Sequence, residues 1–141
     1  MYIYFAFCPT CITFANMIKN ILLVAVGGAA GSVARYLLSA LVQEHTQSTF
    51  PVGTMTVNVA GCLIIGFVTA LAAEHGAISP GMKLILTTGF CGGFTTFSTF
   101  INETLTLGVH GAGATAVAYV AVSVVLGFIA AAAGMQLGRM C

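Results

Sequence analysis

Seven side chains have the types and spacing to handle an ion: Asn58, Phe97, Ser98, Thr99, Phe100, Tyr119 and Ser123. All lie in apolar stretches, and none carries a charge. The amide of Asn58 and the hydroxyls of Ser98, Thr99 and Ser123 are hydrogen-bond donors. Phe97 and Phe100 stand three apart, on one helix face, and an aromatic edge is electropositive. Neutral donors of this kind can replace water around a small anion without trapping it, as conduction requires. Each also has a plainer use. Two phenylalanines can simply pack, and an intramembrane Asn can bond a neighbouring helix for about 1 kcal/mol. Tyr119 and Ser123, four apart, can face the same neighbour. Arg35 either snorkels to the headgroups or draws anions into a vestibule. Glu103 either pairs or reaches an aqueous mouth.

The stretch Thr87-Thr88-Gly89-Phe90-Cys91-Gly92-Gly93-Phe94-Thr95-Thr96-Phe97-Ser98-Thr99-Phe100 holds three glycines among many β-branched threonines, a poor helix core. A helix break is expected at Gly92-Gly93, near the middle of an apolar segment. Irregular backbone at bilayer depth survives only where protein or a polar cavity satisfies it. Freed carbonyls at such a break can coordinate a cation, and half-helix N-termini favour anions. The residues themselves therefore point to an ion site there.

Catalytic chemistry is not in view. The sequence has no paired carboxylates, no metal-ligand cluster and no nucleophile–His–acid set. Cys8-Pro-Thr-Cys11 lacks the βαβ setting of a redox motif and the second ligand pair of a zinc site. Cys62 and Cys91 lie in apolar segments, where cysteine is usually a small hydrophobe. His45, His75 and His110 fall in or near loops.

The elements that position these residues follow from composition. Apolar residues make up 59% of the 141 and charged residues 5%, where a soluble domain carries about 25% charged. Mean hydropathy is +1.06. Four basic and three acidic residues cannot clothe a water-soluble globule of this size, so the solvent for most of the surface is lipid. A net charge of +1 argues against nucleic acid. Four apolar runs are long enough to span: about 18–42, 51–73, 82–107 and 112–137. The expected fold is an all-α membrane protein with four transmembrane helices and short loops. Gly27 and Gly31 form a G-x-x-x-G that permits close helix approach. Lys19, Lys83 and Arg139 share one side with the termini, while Arg35 lies toward the other, a mild prediction of cytoplasmic termini. Residues 1–16 make a poor signal peptide and are expected to be an extension outside the domain 17–141, with Met17 as the initiator.

Three groups of residues together resemble the Fluc (CrcB-type) fluoride channels. They are Gly27-Gly28 to Gly31 with Arg35-Tyr36; Gly53-Thr54 with Val57-Asn58 and Gly61; and Thr88 to Phe100 with Glu103. The likeness runs from about residue 17 to the end. It implies a homodimer whose subunits insert in opposite orientations, two fluoride pathways, and passive fluoride export that relieves toxicity. It further implies an integral multi-pass protein of the bacterial plasma (inner) membrane and no enzyme activity. Phe97, Phe100 and Asn58 match the family's pore residues, Arg35 its first-helix arginine, and Tyr119 and Ser123 its fourth-helix polar positions. Gly92 and Thr95 match the positions whose backbone carbonyls hold a structural sodium ion at the dimer interface. The alternative is a small proton-coupled multidrug transporter. Such proteins need a membrane-embedded acid in the first helix, and the run 18–42 has none.

Overall fold

The structure, a computed structural model, describes residues 9–46, 48–74 and 78–141. Cys8, His75 and Gly76 lie outside the described residues, as does the side chain of Cys11. Helices joined by short connections make up the described chain. Helix α1 spans Pro9–Thr46 and α2 spans Val52–Glu74. Helix α3 opens at Pro80–Leu84, runs through a π-helical stretch, Ile85–Cys91, and ends with Gly92–Phe94. Helix α4 spans Phe97–Val109 and α5 spans Gly113–Met140. Four stretches are long and apolar enough to cross a membrane: Thr13–Thr46, Val52–Ala73, Pro80–Val109 and Gly113–Met140. The third span is the pair α3–α4, interrupted at Thr95-Thr96.

Local chemistry sets the helix ends. Ser79 caps α3 by accepting the Met82 N–H (3.2 Å), with Pro80 at the first helical position. At the start of α2, the Gln43 amide oxygen accepts the Gly53 N–H (3.2 Å), and its nitrogen donates to the Ser48 carbonyl (2.6 Å). One side chain of α1 thus ties down the α1–α2 loop. Helix α4 ends in a Schellman arrangement, in which Gly111 takes a left-handed φ of 79° and the Ala112 N–H reaches back to the Leu107 carbonyl (2.9 Å).

Two helix pairs form the body of the protomer. Helix α1 packs on α3, and α2 packs most extensively on α5. Both contacts are backbone-close. A methyl group at Gly31 would overlap the Phe90 carbonyl, and one at Gly134 would overlap the Leu63 carbonyl. The G-x-x-x-G of α1 thus faces α3, and small residues let the helices meet without side chains between them. The buried core is thin: Val57, Val68, Phe94, Phe100 and Tyr119 are its larger members. Many large apolar residues are exposed, among them Leu22, Tyr36, Leu105, Val117 and Phe128, as a lipid-facing surface requires.

Candidate functional site at the broken helix

The break does not fall where the glycines are. Gly92 keeps helical angles (φ −62°, ψ −36°), and the chain turns extended only at Thr95 (φ −89°, ψ 158°) and Thr96 (φ −147°, ψ 116°). The expected break at Gly92-Gly93 is therefore displaced by two to three residues. A methyl at Gly93 would overlap the Gly28 carbonyl of α1, so that glycine serves helix contact and stays helical. Consecutive β-branched threonines favour extended backbone, and here they have a partner that pays for it.

That partner is Asn58. Its amide oxygen accepts the Thr96 N–H (2.8 Å), and its nitrogen donates to the Thr96 carbonyl (3.1 Å). Both backbone groups of the break are met by one side chain of α2. Thr96 then caps α4, its hydroxyl accepting the Thr99 N–H (3.3 Å) and donating to the Thr99 hydroxyl (3.0 Å). On the α3 side the Thr95 N–H returns to the Cys91 carbonyl (3.0 Å). Because the Thr96 N–H goes to Asn58, the Gly92 carbonyl lacks its i+4 amide. Gly92 is exposed, and nothing would lie within 4 Å of a methyl placed there. Arg35 does not snorkel away. Its Nε donates to the Gly93 carbonyl (3.1 Å), pinning α1 to the end of α3.

Two turns along α4 from the break, Glu103 is gripped from two helices. The Thr54 hydroxyl of α2 donates to one carboxylate oxygen (2.7 Å), and the Tyr119 hydroxyl of α5 to the other (2.8 Å). Tyr119 is completely buried. Its ring sits edge-on to Phe50 (5.3 Å, 82°) and tilted against Phe100 (4.9 Å). Phe97 lies 6.1 Å from Phe100, so the two rings are neighbours as their spacing predicts. Their surroundings differ sharply: Phe100 is 8% exposed and Phe97 is 75% exposed. Ser98 is also exposed, and Thr99 is half-buried. The Ser123 hydroxyl is buried without any hydrogen-bond partner.

The residues expected from sequence thus fall into four places. Asn58, Thr99, Arg35, Gly92 and Thr95 gather at the break. Phe100 and Tyr119 meet inside, next to Glu103. Phe97 and Ser98 point out of the protomer, and Ser123 stands alone on α5, one turn beyond Tyr119. Thr54 entered the sequence reading as part of the Gly53-Thr54 motif but was given no role. Its signal was its spacing, four before Asn58 on the same helix face. Beside the break lies a cleft of about 380 Å³, lined by Arg35, Ser39 and Gln43 of α1, Thr54 of α2, and Thr96 and Thr99. Every donor in it except Arg35 is neutral, and the acceptors that bonds at the break use are neutral backbone, amide and hydroxyl oxygens.

A multi-pass membrane protein whose third span is broken within an apolar stretch is the class these features define. Residues 22–135 match the family described as CrcB-like protein, Camphor Resistance (CrcB), and the chain belongs to that family. A relative from Methylobacillus flagellatus, named fluoride-specific ion channel FluC, is 47% identical over 122 residues, which is 86% of this chain and 95% of the relative. Relatives of the same name from Chlorobaculum tepidum (46% over 124 residues) and Paracoccus denitrificans (47% over 123 residues) cover 98% and 97% of their own lengths.

Proposed function

We propose that this protein is a fluoride-selective channel that lets fluoride leave the cell passively and so relieves its toxicity. The observation that carries the reading is end-to-end similarity to relatives named fluoride-specific ion channels. The site chemistry supports it. Fluoride is small and strongly hydrated, so it needs several convergent donors, none strong enough to hold it. Asn58 has one amide hydrogen left after bonding the Thr96 carbonyl. With Ser98, Thr99, the ring edges of Phe97 and Phe100, and Tyr119 and Ser123 on α5, it forms the pathway, and Arg35 supplies attraction at its cleft.

The working unit on this reading is a homodimer of oppositely inserted subunits. Phe97, Ser98 and Gly92 all open outward at bilayer depth, where a second copy can cover them. Lys19, Lys83 and Arg139 sit on one side of a single subunit, so an antiparallel pair places them on both.

A structural sodium ion fits the break. Its donors would be the backbone carbonyls of Gly92 and Thr95 from each copy. These are neutral hard oxygens at the C-terminal end of a helix, where the dipole favours a cation. Among the described residues no cluster of His, Cys, Asp or Glu offers a transition metal a rival site. The ion would hold the two breaks together.

The test is fluoride efflux from liposomes carrying the purified protein, read with a fluoride electrode, with chloride efflux alongside. Rapid fluoride loss with little chloride loss is expected. No fluoride loss from a folded, dimeric preparation would overturn the proposal.

A further inference from the structure

One wall of the cleft beside the break is made by Arg35, Ser39 and Gln43, spaced four apart along one face of α1. Most polar groups around that cleft are committed. Gln43 holds the α1–α2 loop through the Ser48 carbonyl and the Gly53 N–H. The Thr54 hydroxyl donates to Glu103. Both backbone groups of Thr96 go to Asn58, and its hydroxyl serves Thr99. Two groups are left on the α1 wall. Arg35 uses only Nε, on the Gly93 carbonyl, so its terminal nitrogens keep their hydrogens free among the described residues. Ser39 uses nothing: its hydroxyl makes no hydrogen bond among the described residues.

A hydroxyl inside an apolar helix commonly turns back to the carbonyl four residues earlier. Thr46, Thr87, Thr95, Thr104 and Thr106 all do so. Ser39 is half-buried and does not. Nor is its oxygen sealed in, because among the described residues the Ser123 hydroxyl alone is both fully buried and without a partner. The Ser39 hydroxyl therefore opens into the cleft that it lines. The first turn of α2 lies against it: a methyl on Gly53 would stand 2.9 Å from the Ser39 oxygen. The positive end of that helix dipole and the Arg35 guanidinium both favour negative charge here. Glu103, the nearest acid, has both carboxylate oxygens on Thr54 and Tyr119 and does not line the cleft.

We propose that Ser39 is a further anion-contacting residue, whose hydroxyl and the free guanidinium hydrogens of Arg35 together receive fluoride in the cleft, before the break. The inference rests on the channel reading and adds to it a residue that takes the anion from water. A hydroxyl gives the ion a directed bond without adding charge, so the ion is held weakly enough to move on to Thr99 and Asn58.

Two measurements on the full chain test it. In the first, fluoride efflux from liposomes is recorded for wild type and Ser39→Ala over a range of fluoride concentrations. Alanine deletes one oxygen that bonds nothing within the described protomer, so the fold should be unchanged. The half-saturating fluoride concentration should rise roughly three- to tenfold, the worth of one hydrogen bond to the ion, with the maximal rate within about twofold of wild type. An unchanged half-saturating concentration would overturn the proposal. In the second, Ser39→Cys is placed in a chain whose five native cysteines are replaced by serine, and is treated with a negatively charged, membrane-impermeant thiol reagent. Labelling is expected, and fluoride should slow it severalfold where the same concentration of chloride does not. No labelling, or labelling that fluoride leaves unchanged, would overturn the proposal even where Ser39→Ala fails to fold. Failure of wild type to carry fluoride would instead sink the channel reading, and the protection result is read apart from it.

Discussion

Replacing Asn58 by leucine should cost the protein stability before it says anything about transport. Leucine keeps the branched shape and heavy-atom count of asparagine, so the change leaves no cavity, although its methyl groups are bulkier than the amide they replace. What it removes is the two-point clamp on Thr96, in which one bond is accepted at 2.8 Å and one donated at 3.1 Å. Each orphaned buried backbone group costs about 1–3 kcal/mol, so two would cost roughly 2–6 kcal/mol. Thr96 borders the polar cleft, and water there can satisfy part of the debt. The expected loss is therefore toward the lower end, about 2–4 kcal/mol. Titrating detergent-solubilised protein with SDS, followed by circular dichroism, measures it. A loss under about 0.5 kcal/mol, within the range of an ordinary surface change, would refute the idea that Asn58 holds the break open.

Asn58→Asp separates this structural duty from a place in the pathway. The carboxylate still accepts the Thr96 N–H but can no longer donate to the Thr96 carbonyl. It should cost less stability than leucine, yet it sets a negative charge in the path of an anion. Fluoride efflux should fall by roughly tenfold or more, equivalent to about 1.4 kcal/mol of added barrier. Unchanged efflux with the carboxylate shown to be ionised would remove Asn58 from the pathway.

Phe97→Ile should depress fluoride efflux with little change in subunit stability, because its ring is largely exposed in the protomer; normal efflux from an intact dimer would return it to a packing role. Phe100→Ala, by contrast, should destabilise by about 3–5 kcal/mol, since that ring is buried against Tyr119, and an SDS titration would record it. Tyr119→Phe removes one of the two donors to Glu103 and keeps both ring contacts. It should cost about 1.5–3 kcal/mol and slow fluoride efflux, and wild-type values in both assays would contradict the grip on Glu103. Gly31→Ala should disrupt folding through overlap with the Phe90 carbonyl, while Gly92→Ala meets nothing within the protomer and should weaken only dimerisation, as read by size-exclusion chromatography.

The four spans were legible because they rest on one-dimensional facts: apolar length and scarcity of charge. The presence of a break was legible too, since glycine and threonine are poor helix formers wherever they sit. Its position was not. Gly92-Gly93 carry the weakest helix propensity, yet α1 packs so closely on Gly93 that the helix is held there by tertiary contact. The break moves on to Thr95-Thr96, where a residue 38 positions away supplies the missing bonds. Propensity sees neither partner. The pair Phe97 and Phe100 shows the same limit. Spacing placed them on one face, but only the position of α5 decides that one ring is covered by Tyr119 and the other left bare. Glu103 was visible as an acid in an apolar run, while its two hydroxyl partners come from helices whose register no local pattern records.

The distribution of satisfied and unsatisfied groups bears on what the working unit is. Inside the protomer nearly every polar group at bilayer depth is paired: Asn58 with Thr96, Glu103 with Thr54 and Tyr119, and Arg35 with the Gly93 carbonyl. Of the groups left over, the Ser123 hydroxyl lies apart on α5, while the Gly92 carbonyl stands open at the break, beside the exposed ring of Phe97 and the exposed Ser98, whose hydroxyl reaches only the Thr96 hydroxyl at 3.5 Å. An unsatisfied backbone group in hydrocarbon costs several kcal/mol, so a lone subunit facing lipid along this strip would be poorly stable. If a second copy covers it, as proposed, the cost is removed at the place where the two breaks meet. Dissociation would then expose the ion site itself, so dilution of the protein in lipid should abolish fluoride efflux cooperatively rather than halve it.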